Sequence, residues 1–214
     1  MQKVNALYIF GAGGAGREIL WLARQTLSSD VKMTFVVDKP EFLTSDINGV
    51  PVVLLSTIAT EASAAYAISV GSPTLRELAC HRLETLGLQP MTLLHPRAEV
   101  SDSSHIEDGC LICASTVVSV NTRIARHVYI NVGTTISHDV CIGEFSTLCP
   151  GVTVCGNVHI GNGAFIGAGA TIINGTPSEP LVIGDKATVA AGACVTKSVP
   201  SGAVFGGVPA VRLK

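Results

Sequence analysis

Counted in sixes from Val100, an aliphatic residue recurs at thirteen consecutive steps: Val100, Ile106, Ile112, Val118, Ile124, Ile130, Ile136, Ile142, Leu148, Val154, Ile160, Ile166 and Ile172. The series breaks at Asn174–Pro180 and resumes five residues out of step at Ile183, Val189 and Val195. Four positions beyond the aliphatic residue stands a small residue or valine, as at Ser104, Cys110, Thr116, Thr122, Val128 and Thr134. A helix repeats near 3.6 residues and a flat strand at 2, so neither produces this period; a strand that turns a corner every six residues does. Three sides make one coil, and coils stack at the strand spacing of ~4.8 Å. Val118, Ile136, Val154 and Ile172 then form one inward ladder. Ile106, Ile124, Ile142 and Ile160 form a second, and Ile112, Ile130, Leu148 and Ile166 a third. Full burial of each side chain stabilises by roughly 1.5–3 kcal/mol. A chain that is 47% hydrophobic but only 5% aromatic can build its core this way. Residues 97–214 are therefore expected to form a triangular prism, with 174–182 extruded from a corner where an insertion leaves the ladders undisturbed.

Residues 1–96 carry a different pattern. Leu7–Phe10 is a short apolar strand, followed by Gly11-Ala-Gly-Gly-Ala-Gly16 and a helical pattern through Leu27. Met33–Val37 is a second strand ending in Asp38; Tyr66–Val70 is a third, closed by Gly71, with a helix over Pro73–Leu86. A G-x-G-x-x-G turn between strand and helix brings backbone N–H groups and a helix N-terminus close to phosphate. Alone, it suggests a dinucleotide-dependent dehydrogenase. The length before the repeat suffices for one mononucleotide-binding half, not for the two halves of a full Rossmann fold. A bound nucleotide diphosphate is the expectation, with Asp38 offering acceptors to a ribose or base. A merely structural turn, NAD, and an exposed strand-end acid stay open on the residues alone.

A formal net charge of −2 gives no electrostatic case for nucleic acid or an anionic membrane surface. No apolar run reaches the ~18 residues of a membrane-spanning helix. Met1–Lys3 lead straight into a strand, so a soluble, cytoplasmic protein is expected. The seven cysteines are odd in number and scattered, which suits small apolar fillers rather than a disulfide framework. Cys110-Leu-Ile-Cys113 has the spacing of half a zinc site without a second pair. His105 and His159 share a column three coils apart, ~14 Å by strand spacing, so no metal site is expected.

His138 differs from the other histidines. It follows Ile136 by two positions, at a corner, and so points away from the core. The residue stacked on it in the next coil is Gly156, where a missing side chain leaves room for a ligand and an open backbone N–H. The adjacent Asp139 supplies a carboxylate to orient the ring.

The combination of a nucleotide-binding βαβ unit with hexapeptide coils resembles the NeuD/PglD-type sugar acyltransferases. The shared motifs are Gly11-Ala-Gly-Gly, Val70-Gly71 through Arg76, His95-Pro96, Ile130-Asn131, His138-Asp139-Val-Cys-Ile-Gly143 and Gly207-Val-Pro-Ala210. The resemblance implies a left-handed parallel β-helix and a homotrimer with active sites between subunits. It also implies acetyl-CoA as co-substrate, no metal, and a nucleotide-linked amino sugar as acceptor, for a bacterial surface glycan. By position it makes His138 the general base and Asp139 its acidic partner, with Asn131 and Thr147 as active-site support. Gly156, Ala168 and Ala191 fall where the family contacts CoA. Gly13, Gly14, Ala15, Asp38, Lys39 and Gly71 fall where it holds the nucleotide. Ala15 stands where the family often carries histidine, and Thr147 where some members do; the Thr147 hydroxyl can still donate one hydrogen bond to the thioester or pantetheine. The implied reaction is direct attack of a sugar amine on the thioester, with no acyl-enzyme. O-acetylation of a sialic-acid-type sugar, a Cys–His nucleophile and a non-catalytic trimeric nucleotide-binding module are the alternatives.

Overall fold

A computed structural model describes residues 4–58 and 64–214; Met1–Lys3 lie outside the described residues. The N-terminal unit contains β1 (Ala6–Phe10), α1 (Gly14–Thr26), β2 (Lys32–Val37), β3 (Asp46–Ile47), β4 (Val50–Leu54), β5 (Ala64–Ile68), α2 (Pro73–Thr85) and β6 (Gln89–Pro90). Its sheet runs β3-β4-β2-β1-β5-β6, parallel except for the β3–β4 hairpin. Both faces are covered, so β1 and β5 are buried along their whole length. Leu7 and Ile9 pack with Ile19 and Leu22 of α1; Tyr8 and Phe10 pack with Ala79 and Leu83 of α2. A Cβ on Gly16 would overlap the Gly11 carbonyl oxygen, so only glycine lets α1 approach β1 this closely. The third expected strand begins two residues early, because parallel pairing with β1 sets Ala6 opposite Ala64. β2 and β5 flank β1 on opposite sides, which opens a crevice beyond the carboxyl ends of the strands.

The repeat forms a triangular parallel β-helix of two- and three-residue strands. Face 1 stacks Leu93–Leu94 (β7), Leu111–Ile112, Tyr129–Ile130, Thr147–Leu148, Phe165–Ile166 and Thr188–Val189. Face 2 stacks Glu99–Val100, Val117–Val118, Thr135–Ile136, Thr153–Val154, Thr171–Ile172 and Cys194–Val195. Face 3 stacks His105–Ile106, Arg123–Ile124, Cys141–Ile142, Val158–Ile160 and Leu181–Ile183. The second residue of nearly every rung points inward, and the ladders are those the six-residue period dictates. The small residues four positions on turn the inner corners. Thr116, Thr122, Thr134 and Ser146 are buried there, each hydroxyl donating to a carbonyl of the next coil at 2.7–3.3 Å. Most corners hold one residue in the left-handed region, with φ of 57° at Asn121, Asp139, His127 and Phe145.

Because β7 pairs with Leu111–Ile112, the first rung begins ahead of the expected junction at residue 97. Leu111, Cys113 and Tyr129 belong to the same buried cluster as Leu7 and Ile19, so the N-terminal unit roofs face 1. Asn174–Pro180 carries no strand and leaves from the vertex between faces 2 and 3, where the Gly175 N–H donates to Gly156 O at 3.0 Å. Ile160 still pairs with Ile183 across this insertion. Among the described residues no helix is long and apolar enough to cross a membrane.

Candidate active site

The vertex between faces 2 and 3 stacks Asn121, Asp139 and Asn157 in successive coils, and His138 precedes Asp139 there. Its imidazole side chain is 52% exposed, and Nδ1 lies 2.8 Å from Asp139 Oδ2. Asp139 also accepts from Asn121 Nδ2 at 3.2 Å. These two hydrogen bonds, the histidine's first, hold its carboxyl below the usual carboxylate range. With Nδ1–H donating to the carboxylate, Nε2 is left as the basic nitrogen. That ring edge lies over Gly156, where a Cβ would stand 2.5 Å from Nε2 and 3.0 Å from Nδ1 and would overlap Cε1. The space above the glycine is thus filled by the imidazole itself, not left for a ligand as the sequence suggested. Among the described residues the Gly156 N–H meets no backbone or side-chain acceptor. Asn121 was missed in the sequence, although it precedes Asp139 by one full coil.

The other residues matched to CoA contacts occupy a different edge. Ala168 and Ala191 are exposed on the vertex between faces 1 and 2, where Gly133, Gly151, Gly169 and Gly192 have open space about them. Asn131 leads into the same vertex. It is largely buried, its Nδ2 donating to Leu148 O at 3.2 Å, and it borders a cavity of about 360 Å³ with Trp21, His95 and Pro150. His95 is buried there; its Nδ1 accepts from the Arg97 N–H, and Nε2 has no partner. Face 2 separates the two vertices, so one chain does not gather its candidate CoA residues into one site.

Thr147 is corrected outright. It lies on face 1 beneath the N-terminal unit, 1% exposed, its hydroxyl donating to Gly71 O at 2.8 Å and accepting from Arg76 Nη2 at 2.9 Å. Its hydrogen-bonding capacity is used inside the chain, out of reach of a thioester.

The strand-end crevice has a volume of about 570 Å³ and is lined by Gly11–Gly13, Asp38, Lys39, Phe42, Val70, Leu75 and Arg82 among others. Gly13 caps α1 with no side-chain cap, and neither Gly13 nor Gly71 has any atom within 4 Å of where a Cβ would sit. Gly14 and Ala15 open the first turn of that helix. Asp38 pairs with Arg82 at 3.1 Å and Lys39 with Glu41 at 3.7 Å, both exposed. Arg82 and Phe42 were not anticipated, since helical periodicity does not say which strand end a helix will face.

All seven cysteines are free. Cys110 Sγ donates to Ala125 O at 3.0 Å inside the prism, while Cys113 packs against the N-terminal unit, so the pair points to opposite sides of one strand. Burial pushes both thiols up to about 12.

The family model "Bacterial transferase hexapeptide (six repeats)" matches residues 142–174. The chain is 33% identical over 217 residues to GDP-perosamine N-acetyltransferase of Escherichia coli O157:H7, covering 99% of this chain and 97% of that protein. Among solved structures, WeeI from Acinetobacter baumannii AYE superposes with a TM-score of 0.91 at 36% identity, over 97% of this chain and 99% of that one. The acetyltransferase domain of PglB from Neisseria gonorrhoeae FA1090, in complex with acetyl coenzyme A, superposes at 0.87 with 28% identity, over 99% and 100% of the two chains.

Proposed function

Since this chain belongs to the hexapeptide-repeat, acetyl-CoA-dependent sugar N-acetyltransferases, we propose that it acetylates the amine of a nucleotide-linked 4-amino-4,6-dideoxy sugar, with His138 as general base. One observation carries the role of His138: a half-exposed imidazole whose Nδ1 is engaged by Asp139 at 2.8 Å and whose Nε2 lies over a glycine with an open N–H. His138 Nε2 removes the proton from the attacking amine as the new C–N bond forms. General-base assistance of this kind contributes roughly 10²–10⁴-fold. Asp139 keeps the tautomer and steadies the imidazolium that results. The Gly156 N–H supplies a donor for the charge that develops on the acyl oxygen. The proton then leaves with the departing thiolate, and no side chain is acylated.

The N-terminal unit is read as the mononucleotide-binding half, residues 1–96, ahead of the β-helix, 97–214. Gly13, Gly14, Ala15 and Gly71 offer uncrowded backbone to a diphosphate at the N-terminus of α1. Asp38 and Lys39 edge the same crevice and face the ribose or base. The guanosine nucleotide of the Escherichia coli relative's substrate makes GDP-linked sugars the first choice. The nucleotide crevice lies in the unit that roofs face 1, whereas His138 rides the opposite vertex. Candidate CoA contacts are likewise divided, Gly156 on one vertex and Ala168 and Ala191 on another. A homotrimer answers both facts: the His138 vertex of one subunit faces the Ala168 vertex and nucleotide crevice of the next. The small side chains and open glycines of that second vertex suit a pantetheine arm.

The test offers purified protein acetyl-CoA with GDP-, UDP- and dTDP-linked 4-amino sugars and with sialic acid, following release of free thiol and the site of acetylation. Turnover of a nucleotide-linked amino sugar, with acetyl on nitrogen, is expected. Turnover of sialic acid alone, with acetyl on oxygen, overturns the proposal.

A further inference from the structure

Arg76 of α2 is 1% exposed, and among the described residues no carboxylate pairs with it. Its guanidinium is satisfied by carbonyls and one hydroxyl. Nε donates to His127 O at 3.0 Å, and Nη1 donates to Val70 O at 2.7 Å and Gly71 O at 3.3 Å. Nη2 donates to Phe145 O, Ser146 O and Thr147 Oγ1 at 2.5, 3.0 and 2.9 Å. Thr147 closes the circuit by donating to Gly71 O at 2.8 Å. Two of the acceptors belong to the turn after β5 at the edge of the nucleotide crevice. Of the other four, His127 O, Phe145 O and Ser146 O belong to the vertex between faces 3 and 1 in two successive coils, and Thr147 Oγ1 to the face 1 rung that follows it.

The surroundings reinforce this junction. His127 is stacked between Tyr66 and Phe145, with centroids 6.0 and 5.0 Å away. Its Nε2 is 3.2 Å from Cys80 Sγ, which is 3.3 Å from the Tyr66 hydroxyl. Cys80, Glu84 and His127 bring three donor atoms within 4.8 Å of one another, the spacing of a metal cluster. Glu84, however, is held by Arg126 at 2.9 Å, and a second guanidinium beside the cluster opposes a cation. The pair is not a nucleophile either: burial pushes the Cys80 thiol up to about 11 and His127 down to about 4, the reverse of a thiolate–imidazolium couple.

A buried cation without a counter-charge is an expensive way to join two apolar surfaces, since well-packed hydrophobic residues do so at lower cost. What a guanidinium adds is direction: its planar donors fix the distance and angle between the groups that accept from them. Val70, which accepts from Arg76, lines the crevice, and the accepting vertex belongs to the rigid prism. We infer that Arg76 is a positioning residue that sets the attitude of the nucleotide crevice relative to the β-helix, so that a seated nucleotide delivers its sugar to an imidazole carried on a prism. The inference rests on the function proposed above.

The test compares wild type with Arg76→Lys and with Thr147→Val, whose hydroxyl lies wholly inside the junction. Each is assayed with the nucleotide-linked amino sugar and with the same amino sugar lacking its nucleotide, at saturating acetyl-CoA. The anchored acceptor depends on the attitude of the crevice; the free one does not. Both variants are expected to lose at least tenfold in kcat/KM for the linked sugar. Turnover of the free sugar stays within twofold, as does KM for acetyl-CoA in a separate titration. Equal losses with both acceptors in a folded variant, or none with either, overturn the inference. If wild type itself turns over no nucleotide-linked amino sugar, the functional reading has failed, and this inference falls with it. Should Arg76→Lys not fold, Thr147→Val decides, since it removes two hydrogen bonds while nearly preserving shape.

Discussion

Replacing Gly156 by alanine isolates the position of one imidazole from everything else the scaffold does. The new Cβ would overlap His138 Cε1 and stand 2.5 Å from Nε2. The backbone at Gly156 is not in the left-handed region, so alanine fits it without torsional strain. The ring is half-exposed and can swing into solvent at the loss of its Asp139 hydrogen bond. The scaffold therefore loses little, and a gain of about 0.4–1 kcal/mol from the stiffer unfolded chain offsets it. Catalysis loses the base. If Nε2 is displaced from the acceptor, kcat falls toward the 10²–10⁴-fold limit of general-base assistance, with KM for acetyl-CoA much less affected. Gly109→Ala is the internal control. Its Cβ would overlap His127 Nδ1 and Cε1, but this ring is buried and clamped between two aromatics, and Gly109 itself has a φ of +76°. Overpacking and left-handed strain together cost about 3 kcal/mol there, and the melting temperature drops. Thermal unfolding and steady-state kinetics on the two variants check this contrast. A Gly156→Ala protein of wild-type kcat, or one that unfolds as Gly109→Ala does, would refute the reasoning.

Other consequences follow from the same geometry. His138→Asn should keep the fold, because the ring is outside the core, and lose about 10²–10⁴-fold in kcat by thiol-release assay. Asp139→Asn should also fold, since asparagine tolerates the φ of 57° at that position. Without the carboxylate, kcat is expected to fall roughly tenfold to a hundredfold, with KM for acetyl-CoA unchanged. His127 titrates at about 4 in the folded chain against an ordinary 6.5, its burial being the main cause. The folded chain then holds fewer protons than the unfolded one between these values, so stability falls as pH drops from 6.5 to 4. The loss totals about 3 kcal/mol. Urea titrations across that interval measure it, and His127→Asn should flatten the slope.

Local order in this chain is written in short range. The period of six sets the inward ladders, and with them the vertex on which His138 sits and the column it shares with Gly156. The small residues four positions on announce the inner corners, and the glycine-rich turn announces a strand meeting a helix. Each depends on neighbours in one coil or one turn, which is why each was legible. One misreading shows the limit: an absent side chain at Gly156 looked like room for a ligand, but the adjacent imidazole occupies that space.

Which face of the prism carries the N-terminal unit is a different kind of fact. Face 1 points Leu93, Leu111, Tyr129 and Phe165 outward where face 2 has Glu99 and Thr135 and face 3 has Arg123 and His159, but the six-residue period of the inward ladders does not itself register that difference. Only packing across some fifty to seventy residues of separation, Arg76 to His127 and to Ser146, selects face 1. That choice buries Thr147, ties Gly71 to the prism and leaves His138 on the far vertex. Sequence alone thus determined the coils and the chemistry offered at their corners. Tertiary structure decided which of those corners remain open to a substrate, because burial and hydrogen-bond partnership belong to surfaces that meet only after the chain has folded.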